Sequence, residues 1–192
     1  MAYARAFAIA AALAGCAAPP PGAPALTEAQ KDAVLRAARA VLDAGSCPAA
    51  AAEIADAPVR LEDPRLGGAL RQPVRVEGCG RGGRLNMLVV PAPGGGEAAS
   101  VAPLLPGTTA AEPLLQREGL RLALMAVRDA APGCDRITAV DTRVEGPAAA
   151  GPARPWNEVW LLSACGRAFA VPVRFAPGRD GTEITVDAVR PA

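Results

Sequence analysis

The chain contains no histidine in its 192 residues. That removes the commonest general base and the commonest metal ligand together. A Ser-His-Asp or Cys-His catalytic site cannot be assembled, and the HExxH metal motif is absent. Aromatic residues are scarce, with one Tyr, two Trp and three Phe. Lys31 is the sole lysine, so arginine supplies nearly all the positive charge. No basic run occurs anywhere, which excludes nucleic acid as a main partner. No stretch approaches the ~18 consecutive apolar residues of a membrane-spanning helix.

The informative segment that is present lies at the N-terminus. Arg5 precedes an apolar run of eight residues, Ala6 to Leu13, and the sequence Leu13-Ala14-Gly15-Cys16 follows. A run this short suits a signal peptide and cannot cross a bilayer. An aliphatic residue, two small residues and a Cys resemble the lipobox of bacterial lipoprotein precursors. The resemblance covers about the first 17 residues. It implies removal of residues 1–15 and diacylglycerol on the sulfur of Cys16. Several acyl chains then give stable anchoring, since one alone is marginal. The expected location is the bacterial cell envelope, on the outer membrane facing the periplasm, because Ala17 rather than Asp follows the Cys. The membrane is thus a partner through the lipid anchor. Without Arg5 the remaining chain carries 19 basic and 19 acidic side chains.

Setting Cys16 aside leaves four of the five cysteines: Cys47, Cys79, Cys134 and Cys165. An even number in an oxidising compartment reads as two disulfides. Zinc is disfavoured because no CxxC-like spacing occurs, and no metal or cofactor is expected. The spacings are 32 and 31 positions, and each second Cys begins the triplet Cys-Gly-Arg. Both first cysteines follow a helical pattern. These features favour Cys47–Cys79 and Cys134–Cys165 over the other two connectivities. Each loop closed in this way contributes roughly 3–4 kcal/mol on the chain-entropy argument.

At an offset of 86 positions Val74 pairs with Trp160, Met87 with Val173 and Val89 with Phe175, without a gap from Val74 to Pro91, and one inserted residue reconciles the segments before the first cysteines. The reading is a tandem duplication of one α+β module, a helix followed by antiparallel strands. The first helix is expected over Glu28–Ala44, with Thr27 as N-cap and an apolar stripe of Val34, Ala37, Ala38, Val41 and Leu42. Asp32–Arg36 and Arg39–Asp43 sit at i,i+4 on its other face. The second helix is expected over about Pro113–Ala130, with Leu120, Ala123, Leu124 and Val127 inward. Strands are expected at 137–144, 156–164, 168–176 and 182–189, the middle two forming a hairpin about Cys165-Gly166-Arg167. The first module repeats this weakly at 58–61, 74–78 and 85–90, with its fourth strand lost. The domain plan is a signal peptide over 1–15, a Pro/Ala-rich tether over 16–27, module one over 28–92, a linker over 93–111 and module two over 112–192.

Gly78-x-Gly80-x-x-Gly83 matches a dinucleotide-binding fingerprint formally, but a strand rather than a helix follows it, so it reads as a hairpin turn. Trp156, Glu158 and Trp160 share one strand face. The preferred reading packs both indoles in the core with Glu158 near the rim. The sharper reading makes Trp156, Glu158, Trp160 and Arg167 a binding face on an exposed sheet. Glu62-Asp63 and Asp141/Arg143/Glu145 read as solvated faces. The body also resembles, loosely, uncharacterised proteobacterial secreted proteins with a Trp-containing strand and a Cys-Gly-Arg turn, a resemblance that implies no activity. The functional expectation is a non-enzymatic lipoprotein with a binding or envelope-structural role, an envelope protein being the candidate partner. The alternatives are a His-independent envelope enzyme, and a periplasmic inhibitor or small-ligand carrier.

Overall fold

Thr27 and Gln30 start the first helix by exchanging hydrogen bonds. The Gln30 amide N–H donates to Thr27 Oγ1 at 3.2 Å, and the Thr27 amide N–H donates to Gln30 Oε1 at 3.1 Å. This capping box satisfies two N–H groups that a helix start leaves orphaned. The structure is a computed structural model, and it describes residues 24–44, 50–54, 56–78, 81–92, 99–146 and 154–192. Cys16, Cys47 and Cys79 lie outside the described residues, as does the signal segment, so the pairing of Cys47 with Cys79 is not described either.

Helix α1 spans Glu28–Ala44 and buries Gln30, Val34 and Ala38, one residue per turn. Val34 and Ala38 share a core with Leu26, which precedes the helix, and with Leu70, Val74, Met87 and Val89 of the first sheet. Leu26 thus belongs to the core although the sequence placed it in a tether. The expected i,i+4 pairs of α1 are replaced, among the described residues, by Lys31–Glu28 at 2.7 Å. The first sheet contains β1 (Ala51–Glu53), β2 (Val59–Arg60), β3 (Leu70–Gly78), β4 (Arg81–Pro91) and β5 (Ala99–Leu104). All pairings are antiparallel, with β1 and β2 on one edge of β3 and β5 on the far side of β4.

Strand β5 corrects the expectation of a linker over 93–111 and of a lost fourth strand. Ala99–Leu104 pairs with β4 from Pro91↔Ala99 to Asn86↔Leu104. Pro103 is tolerated because β5 pairs on one side only, where a missing N–H breaks no second ladder. The following residues are buried as well: Leu105 is 7% exposed, Thr109 3% and Ala111 1%.

Helix α2 spans Pro113–Ala130, with Pro113 in its first turn as expected. Its buried line is Gln116, Gly119, Ala123 and Val127, with Leu120 and Leu124 flanking it. The inward face is therefore rotated from the expected stripe, and Gly119 explains why. A Cβ there would lie 2.7 Å from the Trp160 ring, so the helix comes closest to the sheet at this glycine. The second sheet contains β6 (Ile137–Glu145), β7 (Trp156–Ala164), β8 (Arg167–Gly178), β9 (Gly181–Val186) and β10 (Arg190–Pro191). It runs β6-β7-β8, with β9 and β10 both on the outer edge of β8.

The β7–β8 turn consists of Cys165 and Gly166 alone, at φ 48° and 79°. Two positive φ values mark the tight hairpin turn that matches strand twist. Arg167 therefore begins β8 opposite Ala164 instead of lying in the turn. Cys165 bonds to Cys134, with Cα atoms 5.9 Å apart, tying the hairpin tip to the segment after α2. The two central hairpins share one register. Leu70↔Val89, Val74↔Leu85 and Gly78↔Arg81 of β3–β4 correspond to Trp156↔Phe175, Trp160↔Val171 and Ala164↔Arg167 of β7–β8. The architecture is α+β, with two helices and two antiparallel sheets. Among the described residues, no helix is long and apolar enough to cross a membrane.

Candidate functional site

Pro106 to Thr109 stitch the two sheets together. The Gly107 amide N–H donates to Arg84 O at 2.8 Å, extending the edge of β4, and the Thr108 N–H donates to Thr142 O on β6 at 2.7 Å. Thr109 N–H donates to Thr142 Oγ1, whose hydroxyl donates to Pro106 O. Gly107 has φ 90°, and any Cβ on it would run into the backbone of Thr142. Only glycine permits both that conformation and that approach. A register shift in β6 between Ala139 and Asp141 lies beside the same seam, bending the edge strand where the chain crosses over.

Beside this seam lies a groove of about 510 Å³. Its lining includes Val41 of α1, Leu120 of α2, Leu85 and Met87 of β4, Ala139 of β6 and the run Pro103 to Pro106. Two polar side chains reach it, and both are spent on backbone groups. Asn86 Nδ2 donates to the carbonyls of Leu105 and Gly107 at 2.8 and 3.0 Å. Gln116 Oε1 accepts the Leu105 N–H at 2.9 Å, while its Nε2 donates to Ala111 O at 2.8 Å. Asn86 and Gln116 are 4% and 3% exposed. They hold the crossover in place through these bonds. Arg117 is the one ionisable side chain among the described lining residues. A concave, apolar site of this volume at a boundary between packed units is the form that small-molecule sites commonly take.

Both indoles pack in the core, as the preferred reading has it, and do not form the alternative, an exposed binding face. Trp156 is 9% exposed, and Trp160 and Glu158 are both fully buried. Glu158 is the centre of that core rather than its rim. Its Oε1 accepts from Trp156 Nε1 and from the Ala110 N–H, both at 2.9 Å, and its Oε2 accepts from Trp160 Nε1 at 2.7 Å. Trp156 stacks on Phe175 with centroids 4.7 Å apart. Arg167 is not brought to this group. It lies at the hairpin tip, exposed, with its guanidinium 5.1 Å from the Phe169 ring centroid. Along β7, eight residues separate Trp156 from Ala164, the partner of Arg167, a distance of roughly 27 Å at strand rise. The binding-face reading is thereby corrected. Alternation put the three side chains together, and burial then put them inside.

Asp63 is also less solvated than its sequence suggested. Its Oδ1 accepts the Arg65 amide N–H at 3.0 Å and Arg65 Nε at 2.9 Å, capping a 3₁₀ turn over Pro64–Leu66. The hydrogen bonds from Arg65 hold its carboxyl below the ordinary aspartate range. Glu112, the residue before α2, shows the opposite shift. Burial raises its pKa, and Arg71 offsets the rise only in part. One of its oxygens, Oε2, is buried without a hydrogen-bond partner. No group of three or more His, Cys, Asp or Glu side chains is placed to hold a metal ion among the described residues.

Sequence reasoning put Val41 and Leu120 on inward helix stripes and Leu85 and Met87 in a strand, but it placed Pro103–Pro106 in a linker and missed the groove itself. Asn86, which interrupts an otherwise apolar strand, and Gln116, which lies on the inward line of α2, were the available signals. No family model, curated protein or solved structure matches the chain.

Proposed function

We propose that the chain is a lipid-anchored protein of the bacterial cell envelope that binds a small apolar ligand in the groove between its two modules, without catalysis. Cys16 is the point of attachment, on the strength of the lipobox, and the outer membrane facing the periplasm is the location. The observation that carries the binding role is the groove: an apolar cleft of about 510 Å³ whose Asn86 and Gln116 are both engaged with backbone groups. It favours small-ligand carriage over an envelope protein partner or inhibition. A catalytic role lacks support from Glu158, the one fully buried carboxyl among the described residues, because that group is enclosed by its own N–H donors.

We also infer that the two modules are copies of one unit. The shared hairpin register supports this, and so do the polar positions. Gln30 and Gln116 occupy equivalent places in α1 and α2, and Gln72 and Glu158 occupy equivalent places in β3 and β7, all four buried. On this reading the groove lies at the boundary between the copies.

The binding role is tested with the neutral apolar dye N-phenyl-1-naphthylamine, added to the chain carrying Cys16→Ala. Saturable fluorescence enhancement is expected, and Leu104→Asp, which puts a charge in the groove wall, removes it. Equal enhancement in both proteins, or none in either, contradicts the reading. The anchor is tested separately by fractionation, where Cys16→Ala releases the protein from the membrane and continued retention contradicts the lipobox assignment.

A further inference from the structure

Resting on the groove as a ligand site, we propose that its ligand is an amphiphile with one apolar chain and an anionic head, the head seated at Arg117. Two observations converge on this chemistry. The described groove walls are apolar side chains apart from Asn86, Gln116 and Arg117. The first two spend the amide groups that they direct to the backbone, so a sugar, peptide or nucleotide would leave its own polar groups unpaired there, a costly outcome. An apolar chain makes no such demand.

Arg117 supplies the second observation. Its side chain is 74% exposed and touches Glu118 only loosely, at 3.5 Å. Glu118 is shared with Arg121 at 3.4 Å, so these three side chains carry one net positive charge at the rim. The groove thus combines an apolar interior with a cationic mouth. Its volume lies within the range of small-ligand sites, roughly 300–1,000 Å³, and suits one chain with its head in water. A carboxylate and a phosphate head share the required chemistry.

The test titrates the full chain carrying Cys16→Ala, below micellar concentrations, with laurate, dodecyl phosphate and dodecyltrimethylammonium. The anionic amphiphiles are expected to bind about tenfold tighter than the cationic one, and the tighter anion identifies the head. Arg117→Gln should weaken anion binding by about five- to tenfold, as for loss of one partly screened charge pair, and should leave cation binding no weaker. Equal affinity for anions and cation, or unchanged anion affinity in Arg117→Gln, overturns the assignment of the head and leaves the apolar groove standing. Dye binding without binding of any of these amphiphiles overturns the amphiphile alone. Failure of the dye and all three amphiphiles together removes the groove reading as well.

Discussion

Glu158 holds three N–H groups that would otherwise be unpaired in an apolar core: the two indole N–H groups and the Ala110 amide. The last of these lies in the crossover, so the residue also fastens the crossover segment to β7. Glu158→Gln keeps one oxygen but turns an NH₂ group towards N–H donors. It should destabilise the protein by about 1–3 kcal/mol, read from urea unfolding. A loss within error would mean that water or neighbouring groups replace the carboxyl. Gly119 makes a complementary case. Ala normally favours a helix interior over Gly by about 1 kcal/mol, yet its Cβ would press on the buried Trp160. Overpacking costs about 1–3 kcal/mol, so Gly119→Ala should lower the unfolding midpoint. A raised midpoint would show that the helix shifts freely. Glu112 has a pKa raised by burial above its usual value of 4.5. The folded chain then holds this proton more tightly than the unfolded chain, and stability falls as pH rises from the usual value through the raised one. Glu112→Gln should therefore raise the melting temperature near neutral pH, with the advantage shrinking below the usual glutamate range. A variant equally or less stable at neutral pH contradicts that account.

The elements that the sequence made legible are those with strong local signals. Both helix spans follow from periodicity and from Thr27 and Pro113 at their starts. The β7–β8 hairpin follows from alternation on either side of Cys165-Gly166. Strand β5 was not legible because Ala99–Leu104 is short, contains Pro103 and follows a glycine run, so local propensity opposed what pairing with β4 imposes. The place of Glu158, expected near the rim, was missed for a different reason. Alternation shows that three side chains share a face but not whether that face is covered, and α2 with Gly119 covers it. At this scale the disulfide is the testable staple. The Cys134→Ala/Cys165→Ala protein should lose roughly 3–4 kcal/mol against denaturant under non-reducing conditions, as expected for opening a loop of 31 positions. An unchanged unfolding midpoint would show that the hairpin tip needs no tie.

The molecule as a whole is organised around its seam. The Arg84 end of β4, beyond its pairing with β5, and the edge strand β6 meet through Pro106–Thr109, and buried Asn86 and Gln116 hold that crossover from the two sides. This stitching leaves α1 and α2 with the groove between them, and none of it is visible in local pattern. Val41, Leu85 and Ala139 are far apart in sequence, and only the crossover brings them together. The most direct measurement is therefore a map of where an apolar ligand goes. Methyl NMR spectra of the Cys16→Ala chain, titrated with N-phenyl-1-naphthylamine, should shift the signals of Val41, Leu85, Leu120 and Ala139 together with one affinity. Shifts scattered over the surface, or confined to the second-module core around Leu162 and Val171, would contradict the groove as the functional site.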